Sequence, residues 1–234
     1  MKFLILLPYF NRPNLVKFAI NSVTNQSYDN WQLVICDDGS DVHIDEVLSS
    51  MQVNDSRISI KRLEDSIEYK ERSGSRSGKM LNEAMSKSDS DVVIVLCDDD
   101  GLFPEYLNEL KEFYEKNQDT MYSYGHVSIY NPQQFIDLDS LPEPNFNITL
   151  NNFHDLNPVC VVDASQVSWR LNENTNSLFP SPQTAALDAV VFQKLYELYG
   201  LCKFNNTVAQ YKGWFIDQMG NRLMNGLGID PMIK

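Results

Sequence analysis

The apolar runs KFLILLPY (residues 2–9), WQLVIC (31–36) and DVVIVLC (91–97) are hydrophobic at successive positions rather than at every second one. A strand with one wet face alternates. Continuous runs predict strands covered on both faces, as in a parallel sheet between two layers of helix. The intervening segments agree. Pro13 opens a stretch with Leu15, Phe18, Ala19, Ser22 and Val23 at helical spacing. DEVLSSM (45–51), SGKMLNEAMSK (77–87) and the stretch after Pro104, with Leu107, Leu110 and Tyr114 on one face, predict further helices. SRISIKRL (56–63) alternates and predicts a third strand, so strand and helix alternate four times in the first half. The expected class is α/β, with a mostly parallel central sheet and helices on both faces.

The second half reads less regularly. MYSYGHVSIY (121–130) and NPVCVVD (157–163) predict strands, 131–157 a polar loop rich in Pro and Asn, and 182–199 a helix, before a short strand and a final helix-like segment. At 234 residues, 43% apolar and 22% charged, the chain is folded throughout and long enough for one large core. A single domain over 1–234 is expected, with 131–234 as a smaller subdomain completing a site built by 1–130.

A net charge of −13 opposes general binding to phosphate backbones and argues against a nucleic-acid partner. A phosphate-bearing ligand would need local cations or backbone amides. Cys36, Cys97, Cys160 and Cys202 form no Cys-x-x-Cys pair, so neither a zinc site nor a disulfide framework is expected. The first three lie in apolar strand-like runs and read as small core residues, which fits a reducing, cytoplasmic setting. MKFLILLPYFNRP is too interrupted for a signal peptide, and no stretch approaches the roughly 20 apolar residues of a membrane span. Attachment to a membrane surface stays open.

Chemistry concentrates at two strand ends, CDDGS with Asp37 and Asp38, and CDDDG with Asp98, Asp99 and Asp100. A parallel sheet brings both to its carboxyl edge, where ligands bind. Gathered carboxylates repel unless a cation sits among them, and all-oxygen ligation suits Mg²⁺ or Mn²⁺. For DDGSD a turn-forming role weighs equally, since Asp-Gly is a common turn. Between Arg57 and Lys79 stand seven of the 19 basic residues, and the core of this segment, YKERSGSRSGK, with Arg72 and Arg76, reads as a diphosphate-contacting loop or a solvated one. It is not a Walker A loop. Asp188, among Ala185–Leu187 and Ala189–Phe192, is either a partly buried general base or a helix N-terminal acid.

LPYFNRPNLVKFAINSVTNQSYDNWQLVICDDGSD, followed by RSGKMLNEAMSKSDSDVVIVLCDDDGLFPEYL, resembles the signature of the GT-A, family 2 glycosyltransferases, with their Ser-Val-x-x-Gln-(Ser/Thr)-Tyr helix end and Asp-Asp-Gly-Ser strand end. The layout of the second half is similar to the short bacterial members, such as the spore-coat polysaccharide glycosyltransferase. The resemblance implies a GT-A fold with a nucleotide-sugar-binding half (1–130) and an acceptor-side half (131–234). It implies a metal-dependent, inverting transfer from a UDP- or dTDP-type sugar to a glycan, lipid-linked or small-molecule acceptor. Carried onto this chain, Pro8 through its backbone and Tyr9 would contact the nucleoside, Asp38 the base, Arg72 and Arg76 the base or diphosphate, and Asp98 the ribose. Asp99 would hold Mn²⁺ or Mg²⁺, Asp100 would serve as an indirect or alternate ligand, and Asp188 would be the general base.

One position departs from the family. Counting back from Pro104, Cys97 stands where the leading acid of Asp-x-Asp-Asp is usual. The arginine-rich motif of processive members is also missing, which implies single addition. A member of this fold that binds nucleotide sugar without turning it over is the alternative expectation.

Overall fold

The computed structural model describes residues 1–63, 76–130, 154–180 and 187–213. Within these, β1 (Phe3–Tyr9), α1 (Leu15–Thr24), β2 (Trp31–Asp37), α2 (Ile44–Ser50), β3 (Ile58–Arg62), α3 (Gly78–Ser86) and β4 (Val92–Val95) alternate as expected. There follow β5 (Asp100–Leu102), α4 (Tyr106–Lys116), β6 (Tyr122–Tyr130), β7 (Val167–Arg170), α5 (Leu187–Tyr199) and β8 (Lys203–Gly213). All eight strands form one sheet, in the order β3-β2-β1-β4-β7-β6-β8-β5. β3, β2, β1 and β4 run parallel, and β7 pairs antiparallel with β4.

The continuous apolar runs are explained by their two faces. Phe3, Ile5, Leu7 and Tyr9 of β1 enter one buried cluster with α1, α2 and α4, whereas Leu4 and Leu6 enter another with α3 and α5. β2 and β4 divide in the same period-two way, so helices cover both faces.

The helix-end motif of α1 has a local reason. The hydroxyl of Ser22 accepts the Leu102 N–H (2.9 Å), and the Gln26 amide donates to the Phe103 carbonyl (2.6 Å) and accepts from the Leu107 N–H (3.2 Å). These buried side chains satisfy backbone groups just beyond the aspartate triplet and anchor it to α1. Gly101 lies beneath the Phe18 ring, where an added Cβ would come within 2.4 Å of Cε1. Gly101→Ala is expected to cost about 1–3 kcal/mol through displacement of a core aromatic. Thermal unfolding should show a Tm lower by about 2–4 °C per kcal/mol; an unchanged Tm would mean that the ring moves freely.

Two expectations are corrected. NPVCVVD is not a strand: the Pro158 carbonyl accepts from the Val161 and Val162 N–H groups in a turn, and Cys160 takes a left-handed φ of 58°. That conformation breaks extension and turns Cys160 outward, so it is exposed and not a core thiol. The strand comes later, as β7. The triplet does not lie beyond one long strand either: β4 ends at Val95, Asp98 and Asp99 form a turn, and Asp100 opens β5.

Candidate active site

The carboxyl ends of β1, β2 and β4 lie side by side, with Pro8 in register with Cys36 and Leu6 with Val95. The acids there divide by partner. Asp37 organises its own turn, accepting from the Ser40 N–H (2.8 Å) and the Ile44 N–H (3.3 Å) around Gly39, whose φ is 76°. Here the turn-forming role holds. Asp38 points elsewhere: its Oδ1 accepts from Arg76 Nε (3.0 Å) and its Oδ2 from the Arg76 N–H (2.8 Å), while Arg76 Nη2 donates to the Asp38 carbonyl (3.0 Å). Two expected ligand contacts thus form one buried ion pair. Arg72 lies outside the described residues.

Pro8 is half-buried at the edge. The Tyr9 ring is packed in the core at 1% exposure, and its hydroxyl donates to the Val42 carbonyl (2.9 Å). Its side chain therefore braces the loop after β2, and its backbone carbonyl accepts the Asp38 N–H (3.0 Å). The loop after β1 is tied to the same place. Asn11 accepts from the Asp41 N–H (2.7 Å), and the Asn11 N–H donates to Ser40 Oγ (3.1 Å).

Next to this loop, Arg12 Nη1 lies 3.1 Å from Asp98 Oδ1 and 3.1 Å from Asp99 Oδ2. Asp98 Oδ2 also accepts the Phe10 N–H at 3.3 Å. Burial pushes the Asp98 carboxyl up to about 6; Arg12 opposes the shift and Asp99 adds to it. Two carboxylates converging on a single cationic nitrogen have the geometry to share one cation, so the residues present fit a divalent ion.

Asp100 is turned into a different group. Its Oδ2 accepts from Ser165 Oγ (3.0 Å), which in turn accepts the Cys97 N–H (3.1 Å). Asp163 caps the 3₁₀ turn Ala164–Gln166, and Lys212, the β8 partner of Asp100, bonds to Asp163 Oδ2. The ligand atoms of Cys97, Asp100 and Asp163 lie within 4.8 Å of one another. Burial raises the Asp100 carboxyl well above the usual range, while Lys212 opposes that rise. The Lys212 ammonium supplies positive charge beside the buried Asp100 and the half-buried Asp163.

Asp188 stands in the first turn of α5, half-buried, with Oδ1 accepting the Ala189 N–H (2.8 Å). Burial raises its pKa, the Ala189 bond opposes this, and Asp163 adds to the rise. The Lys212 ammonium opposes the rise. Arg12, Asp163, Ser165 and Lys212 escaped the sequence reading. Arg12 lies inside MKFLILLPYFNRP, where it stands out only as a break in the apolar run. The other three carry no local pattern, because their partners are remote in the chain.

A mostly parallel sheet of this order, covered by helices on both faces and carrying acids at its carboxyl edge, defines a GT-A class α/β fold. Consistent with this, the structure of residues 1–349 of Staphylococcus aureus TarS in complex with UDP-GlcNAc is similar over 92% of this chain and 59% of that one, at a TM-score of 0.65 and 17% identity. A family model described as glycosyl transferase family 2 matches residues 4–173, and the chain belongs to that family. Among curated proteins it is similar to protein CgeD of Bacillus subtilis, 31% identical over 117 residues, 48% of this chain and 26% of that protein. It is also similar to the GalNAc(5)-diNAcBac-PP-undecaprenol beta-1,3-glucosyltransferase of Campylobacter jejuni, 27% identical over 128 residues, 55% of this chain and 38% of that enzyme. The chain thus spans well under half the length of these curated relatives. Among the described residues, no helix is long and apolar enough to cross a membrane.

Proposed function

We propose that this chain is a metal-dependent, inverting glycosyltransferase that moves a single sugar from a UDP- or dTDP-type nucleoside diphosphate sugar to an acceptor hydroxyl. The observation that carries the reading is the convergence of Asp98 and Asp99 on one cationic nitrogen beside the buried Asp38–Arg76 pair. The glucosyltransferase name of one relative and the UDP-GlcNAc bound to TarS support the donor class.

In this reading Asp38 and Arg76 bind the base and diphosphate, Asp98 orients the ribose, and Asp99 is the principal ligand of a Mn²⁺ or Mg²⁺ ion. The ion supplies positive charge for the departing diphosphate. Asp100, held by Ser165 and facing Lys212, steadies the turn that presents Asp99. Asp188 takes the proton of the acceptor hydroxyl as its oxygen forms the new bond to the anomeric carbon. The acceptor oxygen enters on the face opposite the diphosphate, and the bond from the anomeric carbon to the diphosphate oxygen breaks with its electron pair on the diphosphate, so the configuration at that carbon inverts.

Nucleoside diphosphate release, screened across nucleotide sugars with Mn²⁺ and simple sugar acceptors, tests the reading. Turnover with a uridine or thymidine donor is expected, falling about tenfold or more in EDTA and returning with Mn²⁺. Turnover indifferent to EDTA would remove the metal, and donor binding without turnover under any condition would favour the inactive, nucleotide-sugar-binding alternative.

A further inference from the structure

Asp98 and Asp99 already share a cation. The Arg12 guanidinium contacts one oxygen of each at 3.1 Å, from a turn whose backbone is pinned by Leu15 and Val16 N–H bonds to the Arg12 carbonyl. Asn11, one residue earlier, is held by Ser40 and Asp41 across the loop after β2. A divalent ion entering between the same two carboxylates would meet this guanidinium at close range, and unscreened like charges there repel strongly.

We propose that Arg12 is a resident counter-cation of the Asp98–Asp99 pair, exchanged for the divalent ion only when a nucleoside diphosphate arrives to receive the guanidinium. The inference rests on the metal-dependent reading above. The planar fork of arginine pairs with phosphate oxygens as well as with carboxylates, so the exchange replaces one set of charge-assisted bonds with another. Metal binding thereby becomes conditional on the nucleotide, and the coupling is reciprocal: the ion tightens the nucleotide by the same factor.

Mn²⁺ titrations of the full chain, followed by electron paramagnetic resonance of the free ion with and without UDP, test this. Wild type should bind Mn²⁺ weakly alone and about tenfold or more tighter with UDP. R12Q should bind Mn²⁺ about tenfold or more tighter than wild type without UDP and gain less from it, whereas R12K, which keeps the charge, should stay near wild type. D99N should weaken Mn²⁺ binding in every background. If R12Q binds Mn²⁺ no tighter than wild type, or UDP leaves wild-type Mn²⁺ affinity unchanged, the exchange is wrong; a D99N effect in the same experiment leaves the metal reading standing. If neither wild type nor R12Q binds Mn²⁺ with or without UDP, both fall.

Discussion

Asp188→Asn is expected to lower turnover by about 10²–10⁴-fold while sparing nucleotide binding and the fold. Asparagine cannot accept the acceptor proton, yet its Oδ1 can still receive the Ala189 N–H that Asp188 receives now. The pH dependence gives an independent readout. Burial raises the Asp188 pKa, and a general base acts deprotonated, so wild-type kcat should rise with pH along an acid limb above the ordinary carboxylate range near ~3.9. For stability, the folded state holds this proton more tightly than the unfolded state does. The contribution of Asp188 is therefore present at low pH and lost as pH rises through the raised value. Asp188→Asn should then be at least as stable as wild type at neutral pH. A variant with unchanged turnover, or one whose loss tracks unfolding, would overturn the assignment.

Arg76→Met is expected to destabilise the chain by about 3 kcal/mol and to weaken nucleotide binding in parallel. Asp38 is 2% exposed, and the substitution removes the guanidinium beside its carboxylate without giving it access to water. The main-chain bond from the Arg76 N–H would survive, which holds the cost near the lower end for a broken buried pair. In thermal unfolding this corresponds to a Tm lower by about 6–12 °C. Asp38→Asn added to Arg76→Met should recover part of the loss, since a neutral amide is cheaper to bury than an unpaired charge. A single-variant cost under about 0.5 kcal/mol, the range of ordinary surface changes, would show that the pair carries no structural load.

The elements that could be read from the sequence are those whose hydrogen bonds and packing follow a local period. β1, β2 and β4 announced themselves by unbroken apolar runs, and α1, α3 and α4 by helical spacing. β5 and β7 span three and four residues and have no pattern of their own; they are strands because β8 and β6 lie beside them. NPVCVVD misled for the converse reason, as composition favours a strand while a left-handed Cys160 and the turn after Pro158 forbid it.

Side-chain periodicity and strand direction are local properties, so the parallel core and the gathering of Asp37, Asp38 and Asp98–Asp100 toward one edge are legible in the chain itself. How those acids are shared out depends on contacts between segments remote in the chain. Asp37 went to its own turn, Asp38 to Arg76, Asp98 and Asp99 to Arg12, and Asp100 to Ser165, facing Lys212. A buried carboxylate takes its character from the cation or donor nearest in space, and most of these partners lie tens of residues away along the chain.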